Sequence, residues 1–122
     1  MSRRTDQKAA IRQVIEDAER PLTAQEICDL AQGDVPGLGI ATVYRNVKAL
    51  VENDLAHAVE LPGEPARYER TDIGHHHHFQ CDGCGKVFDV HGCPGGVKAM
   101  LPEGFELRHH EILMYGRCDT CM

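Results

Sequence analysis

The first half of the chain contains three stretches in which apolar residues recur every three or four positions, the spacing that places them on one face of a helix. The first covers roughly residues 5–19, the second starts at Thr23, and the third covers roughly residues 40–53. Thr23 followed by Glu26 is typical of a capping box, in which each side chain bonds the other residue's backbone N–H. We therefore predict three amphipathic helices. The predicted apolar face of the third helix consists of Ile40, Val43, Val47, Leu50 and Val51.

Two short runs of extended character lie on either side of residues 62–65, a turn-rich break of Pro, Gly, Glu and Pro. This pattern predicts a β-hairpin. Three helices and a hairpin make a winged helix, in which the second and third helices form a helix-turn-helix and the third enters the major groove of DNA. We interpret residues 71–74 as a hinge, and we expect the winged-helix domain to cover residues 1–71.

The second half of the chain has the pattern of strands. Its pattern predicts a small α/β domain over residues 72–122, so the fold class expected for the whole chain is α+β. The strand-like runs cover residues 75–81, 86–91 and 110–115, with a short helix between residues 94 and 101.

Charge adds one local signal. The net charge is −6, and each half of the chain carries −3, so there is no basic half of the kind that nucleic-acid-binding proteins usually show. Between residues 37 and 51, however, the only charged residues are Arg45 and Lys48. With Thr42 and Tyr44 they give the third helix an outer face without acids, which suits contact with bases and phosphates. An ordinary solvated helix accounts for the same residues.

The cysteines form two CxxC pairs, Cys81 with Cys84 and Cys118 with Cys121. No run reaches the length of about 18 apolar residues that a membrane span needs, and the first residues lack a secretory signal. We therefore expect a cytoplasmic protein with reduced thiols and no membrane partner. Four thiolates predict a closed tetrahedral zinc site. Local disulfides, a redox pair and unrelated thiols are the alternatives.

Four consecutive histidines occupy residues 75–78. In a strand, alternate side chains face opposite sides, so His76 and His78 would share one face and His75 and His77 the other. The run could thus serve two different ions, although a solvated loop is also compatible with it. The sequence alone does not identify which other donors converge on these histidines. The further candidate ligands are His57, Glu69, Asp72, Asp89, His91, Cys93, His109, His110 and Glu111.

Residues 39–46, 66–69, 75–86 and 115–118 together resemble the motifs of the ferric uptake regulator family. These proteins are metal-dependent repressors that sense iron, zinc, manganese, nickel or peroxide. The resemblance implies a homodimer with N-terminal winged helices and C-terminal dimerisation domains. It also implies binding to an AT-rich palindromic DNA operator when metal is bound.

The resemblance also implies roles for individual residues. Tyr44 and Arg45 match the DNA-contacting pair, and we add Thr42 and Lys48 to the predicted DNA-binding surface. Three metal sites are implied. They are a structural zinc site of Cys81, Cys84, Cys118 and Cys121, a regulatory site that includes Glu69, His76 and His78, and a further site, or the border between it and the regulatory site, that includes His75, His77, Asp89 and His110.

The chain differs from the iron and peroxide sensors of the family, which often have a histidine where this chain has Arg20 and Pro21. His57 aligns roughly with a ligand of the zinc sensors, and we assign it to the regulatory site. Asp72 lies near the position of a zinc-sensor thiolate. Cys93 aligns with a ligand of the further site, and we assign it there. Because thiolate and imidazole together favour zinc, the predicted regulatory ion is Zn²⁺, with Fe²⁺ or Mn²⁺ as the alternative.

Metal binding would then fix two winged helices so that both third helices meet the major groove. The sequence disfavours two other classes of protein. A zinc hydrolase is disfavoured, because a four-thiolate site has no open position and no HExxH motif is present. A zinc-stabilised interaction module that neither senses metal nor binds DNA is disfavoured by the acid-free face of the third helix.

Overall fold

The computed structural model describes residues 3–122. The chain divides into two compact units, Met1–Gly74 and His75–Met122, which we call the N-terminal unit and the C-terminal unit. The boundary expected from the sequence lay after residue 71, at the start of the short segment interpreted as a hinge.

The N-terminal unit is a winged helix of three helices and a three-stranded sheet. All its strand pairs are antiparallel, and β3 is the central strand, with β1 and β2 on its two sides. The elements are α1 (Arg3–Asp17), β1 (Leu22–Thr23), α2 (Ala24–Ala31), α3 (Ile40–Glu52), β2 (His57–Val59) and β3 (Arg67–Glu69).

The start of α2 has the predicted capping box. The Glu26 N–H donates to Thr23 Oγ1 over 3.1 Å, and the Thr23 N–H donates to Glu26 Oε1 over 3.0 Å. Arg20 Nη1 lies 2.8 Å from Glu26 Oε2. Burial acts to raise the pKa of Glu26, but the Thr23 N–H and Arg20 outweigh it, so the pKa lies below its usual value. Glu26 is therefore charged at neutral pH and holds the capping residue and Arg20 together.

An apolar core joins the three helices of the N-terminal unit. Ile11 and Ile27 are fully buried, as is Val43 on α3. Two details differ from the sequence prediction. Ile40, assigned to the apolar face of α3, is 38% exposed because it lies at the first position of the helix, at the edge of that face. Strand β1 was not predicted, because two residues are too short for a period-two pattern.

The C-terminal unit is a three-stranded sheet with β4 in the centre. Strand β5 pairs with β4 antiparallel, and β6 pairs with β4 parallel. The predicted short helix is a single 3-10 turn. The elements are β4 (His77–Cys81), β5 (Val87–Val90), the 3-10 turn (Lys98–Met100) and β6 (Leu113–Gly116).

This sheet is not built around aliphatic side chains. Within residues 75–122, all of which the structure describes, the buried residues are Cys81, Val87, Cys118 and His77. Large apolar side chains such as Phe105 are instead exposed. A unit of this size buries little surface and commonly depends on a metal or on another subunit for stability.

The α+β class and the winged-helix architecture are thus as predicted. In the described part of the chain, no helix combines the length and the apolar character that a membrane crossing requires.

The capping box of α2 gives a testable prediction. Thr23→Ala removes the oxygen that accepts the Glu26 N–H, and we expect a loss of about 1 kcal/mol in the free energy of unfolding. Thr23→Ser keeps the hydroxyl and serves as the control. Urea unfolding followed by circular dichroism measures both variants. Equal stability of Thr23→Ala and Thr23→Ser would show that the box does not stabilise the unit.

Candidate metal centres and nucleic-acid interface

The two CxxC pairs meet at one end of the C-terminal sheet. Cys81 ends β4, and Cys118 follows shortly after β6. Because β4 and β6 are parallel neighbours, with Cys81 opposite Gly116, their carboxyl ends lie at the same edge. The four sulfur atoms of Cys81, Cys84, Cys118 and Cys121 lie within 4.8 Å of one another, and we call them the four-cysteine cluster.

Backbone hydrogen bonds favour the thiolate of Cys81. Its Sγ accepts the N–H groups of Cys118, Cys84 and Gly83 over 3.3, 3.4 and 3.3 Å. The bonds from Cys118, Cys84 and Gly83 lower the pKa of Cys81 to about 6, against the effect of burial. Cys81 is therefore largely ionised at neutral pH, the form that binds metal.

The remaining thiols of the cluster cannot all ionise without a cation. Hydrogen bonding with the sulfurs of Cys118 and Cys81 raises the pKa of Cys121 to about 12. A bound cation would offset the repulsion between the thiolates. All six cysteines of the chain are free thiols. Four convergent sulfurs, one of them a stabilised thiolate, fit the donor set of a structural Zn²⁺ ion.

Gly83 makes this convergence possible. A Cβ atom at Gly83 would lie 2.9 Å from Cys121 Sγ and 3.0 Å from Cys121 Cβ, closer than such atoms approach in proteins. The first CxxC loop and Cys121 can therefore approach this closely only because residue 83 has no side chain.

A second cluster joins His75, His77, Cys93 and His110, whose ligand atoms lie within 4.8 Å of one another. We call it the thiol–histidine cluster. Cys93 Sγ lies 3.1 Å from His110 Nε2 and 3.4 Å from His77 Nε2. Burial, and then the neighbouring His75, lower the pKa of His77. A neutral imidazole at neutral pH is the form that can bind a metal ion.

His78 lies on the opposite face of β4, next to His76, which immediately precedes the strand, and Asp89 on β5. Asp89 Oδ1 is 3.3 Å from His76 Nε2 and 3.4 Å from His78 Nε2, and we call these three residues the aspartate–histidine cluster. Two imidazoles and a carboxylate are a donor set that first-row divalent metals accept. The alternation predicted for the histidine run thus separates two groups of donors.

The position of Asp89 corrects the sequence-based grouping, which assigned it to the further site with His75 and His77. Asp89 pairs directly with His78 in the antiparallel ladder of β4 and β5. Paired residues of such a ladder point to the same face of the sheet. Asp89 therefore lies with His78 and His76. Only the strand register, which the sequence does not display, could have indicated this.

The remaining candidate ligands include a neighbouring pair in the N-terminal unit. In the N-terminal unit, β2 and β3 pair His57 with Glu69, and His57 Nε2 is 4.0 Å from Glu69 Oε1. Glu69 is buried, whereas the His57 side chain is 56% exposed. Asp72 Oδ1 bonds Arg70 Nε over 3.1 Å. Five candidates belong to no group of three or more convergent donors among residues 3–122: His57, Asp72, His91, His109 and Glu111.

The outer face of α3 carries the predicted DNA-binding residues. Tyr44 is 52% exposed, and Arg45 and Lys48 are exposed as well. Arg45 Nη2 donates to Thr42 Oγ1 over 3.1 Å, which orients the guanidinium along the helix surface. There is no acidic residue in the first turn of α3. This face presents a phenol and two cations without a competing carboxylate.

A winged helix followed by a sheet that carries clusters of metal donors defines the class of metal-responsive transcriptional regulators. A model of the ferric uptake regulator family matches residues 2–115. The chain belongs to this family, whose members bind DNA as dimers and are regulators rather than enzymes.

Individual relatives differ in the signal they sense. The chain is 30% identical over 121 residues to the peroxide operon regulator of Bacillus subtilis, covering 96% of this chain and 82% of that protein. It is also 30% identical to FurB, a zinc uptake regulator of M. tuberculosis, with a TM-score of 0.55 and coverage of 98% and 95%. A zinc-bound manganese uptake regulator has the same fold, with a TM-score of 0.78 at 24% identity and coverage of 92% and 87%.

Gly83 provides a test of the four-cysteine cluster. We expect Gly83→Ala to lower zinc retention and thermal stability, because its methyl group would displace Cys121. Gly95→Ala is the matched control, since a Cβ at Gly95 meets nothing within 4 Å. Zinc released to a chromogenic chelator and thermal unfolding are the measurements. If Gly83→Ala retains zinc as well as Gly95→Ala does, the cluster does not bind the ion.

Proposed function

We propose that this protein is a zinc-responsive repressor of genes for zinc uptake. It acts in the cytoplasm as a homodimer on an AT-rich palindromic operator. Zn²⁺ is its structural ion, held by the four-cysteine cluster, and also its regulatory ion, whose binding at the thiol–histidine cluster adds to the response at the regulatory ligands. Winged-helix residues 1–71 bind the operator through Thr42, Tyr44, Arg45 and Lys48.

The observation that carries the choice of zinc is the position of Cys93. Cys93 Sγ lies 3.1 and 3.4 Å from two imidazole nitrogens, and a third histidine belongs to the same cluster. Together these side chains form a three-nitrogen, one-sulfur donor set. Thiolate and imidazole favour zinc over iron(II) and manganese(II), which prefer oxygen ligands more strongly. Four donors also suit the tetrahedral geometry of zinc. The 30% identity with a zinc uptake regulator is in keeping with this choice.

Binding at the thiol–histidine cluster has one local cost. The Ile112 backbone N–H donates to His77 Nδ1 over 3.2 Å, which leaves the ring proton of a neutral His77 on Nε2. An ion bound by Nε2 would move that proton to Nδ1 and break the bond to Ile112. Occupancy of the cluster would therefore alter the chain immediately before β6.

The proposed regulatory ligands are His57, Glu69, His76 and His78, to which we add Asp89. Asp89 is included because it contacts both histidines of the aspartate–histidine cluster. The N-terminal unit contributes the adjacent pair of His57 and a buried Glu69. Binding of the regulatory ion would fix the winged helices for DNA binding.

The energy required for this switch is modest. A rise in DNA affinity of about a thousandfold corresponds to roughly 4 kcal/mol. Metal supplies this energy if it binds the DNA-competent arrangement that much more tightly. The net charge of −6 supports such a mechanism, because an acidic protein has little general affinity for DNA. Correct geometry is then needed before the local cations of α3 are effective.

The second candidate is an iron-, manganese- or peroxide-responsive repressor. It is favoured by the aspartate–histidine cluster, whose two imidazoles and carboxylate also suit iron(II) and manganese(II). The peroxide operon regulator of Bacillus subtilis is as similar in sequence as the zinc regulator is. Cys93 is the feature that favours zinc over this candidate.

Operator binding under buffered metal tests the proposal. Protein that retains only its structural zinc is titrated anaerobically with free Zn²⁺, Fe²⁺ and Mn²⁺, and DNA binding is followed by fluorescence anisotropy. We expect zinc to activate at the lowest free concentration. Cys93→Glu replaces sulfur with oxygen and should raise the zinc requirement by at least about tenfold while lowering that for manganese.

His109→Glu is the matched control, because it adds a carboxylate at a histidine outside the thiol–histidine cluster. Activation only by iron or manganese would contradict the zinc assignment. An equal response of Cys93→Glu and His109→Glu would show that Cys93 does not set the metal preference. Failure to bind DNA with any of the three ions would favour the zinc-stabilised interaction module, and DNA binding that is independent of all three ions would contradict metal sensing.

A further inference from the structure

We infer that Ile40 reads DNA sequence by contacting the 5-methyl group of a thymine in the major groove. This role rests on the proposed function, because it requires α3 to enter the groove. It adds an apolar, base-reading residue to a surface otherwise composed of a phenol, a hydroxyl and two cations.

The first observation is that Ile40 is outside the core. The apolar residues Val43, Val47 and Leu50 of α3 are at most 4% exposed, whereas Ile40 is 38% exposed. The periodicity of the sequence predicts that Ile40 is buried with these residues. The structure shows instead that its side chain is exposed. Single exposed apolar residues are common, and exposure alone therefore has no functional meaning.

The second observation is the location of Ile40 on α3. It is the first residue of the helix, and Tyr44 follows four positions later, so the two side chains lie on the same flank one turn apart. Lys48 continues this flank by another turn. All three are exposed, and no acid lies in the first turn. Ile40 thus continues the proposed DNA-binding surface toward the N-terminal end of α3.

That end of a recognition helix is the part that contacts base edges in helix-turn-helix proteins. Hydrogen-bonding groups cover most of the major-groove edge, and thymine alone adds a methyl group there. An isoleucine cannot satisfy a hydrogen-bonding edge, but it can bury a methyl group. The chemistry of Ile40 therefore selects thymine over cytosine, which has a hydrogen at that carbon and an amino group beside it.

The test pairs a side-chain change with removal of the DNA methyl group. Full-length protein first selects duplexes from a random pool in the presence of Zn²⁺, Fe²⁺ or Mn²⁺. Each thymine of the selected duplex is then replaced singly by deoxyuridine, which removes only the 5-methyl group. Affinities are measured for the wild type, Ile40→Ala and Leu55→Ala. Leu55 is the control because it is similarly exposed, at 40%, and lies outside α3.

For the wild type, we expect one thymine position per half-site at which deoxyuridine weakens binding about fivefold, the size expected for one buried methyl group. Ile40→Ala should weaken binding to the unmodified duplex by a similar factor. Replacing the thymine at that position by deoxyuridine should then weaken DNA binding by Ile40→Ala by less than about twofold. Leu55→Ala should behave as the wild type. Circular dichroism confirms that each variant folds.

The outcomes separate this inference from the proposed function. If Ile40→Ala responds to every deoxyuridine as the wild type does, the inference is wrong while DNA binding stands. If selection succeeds with iron(II) or manganese(II) and not with zinc, the zinc assignment fails and Ile40 is still tested on the selected duplex. If no ion supports selection, both the inference and the proposed function are overturned.

Discussion

The C-terminal unit buries sulfur and imidazole where a domain ordinarily buries aliphatic side chains. Cys81, Cys118 and His77 are three of its four buried residues, and each belongs to a cluster of metal donors. Neutral or partly ionised, these groups give little of the stabilisation that burying leucine or isoleucine would provide. A structural zinc ion contributes on the order of 10 kcal/mol or more to apparent folding free energy. Metal binding and the folding of this unit are therefore expected to be the same event.

Strand β4 organises the donors of this unit. Its alternation directs His77 to the thiol–histidine cluster and His78 to the aspartate–histidine cluster, and its last residue, Cys81, belongs to the four-cysteine cluster. This five-residue strand thus supplies one donor to each of three groups. The N-terminal unit has the opposite character, because a conventional apolar core and a capped α2 hold α3 in place without any metal. A winged helix with an apolar core is thereby combined with a unit whose buried residues are mostly metal donors.

The sequence predicted the features that depend on local spacing. The capping box at Thr23 and the division of the histidine run follow from residues two to four positions apart. The winged-helix order follows from the spacing of apolar residues within each successive element. Features that depend on which segments pack or pair with one another could not be predicted from the sequence. The face of Asp89 is set by the register of β4 and β5, and strand β1 exists only because β3 lies beside it. Ile40 fits the apolar periodicity of α3. It is exposed because the helix starts at Ile40, whereas the buried residues of α3 begin one turn later, at Val43.

Hydrogen exchange of the full-length protein, with and without a strong metal chelator, tests most directly whether metal replaces the core of the C-terminal unit. We predict that chelation abolishes amide protection in β4 and β6 while α1 and α3 keep theirs, and that added zinc restores the lost protection. Persistent protection of β4 and β6 in protein shown to be free of metal would contradict it, because the sheet would then be stable without the ions.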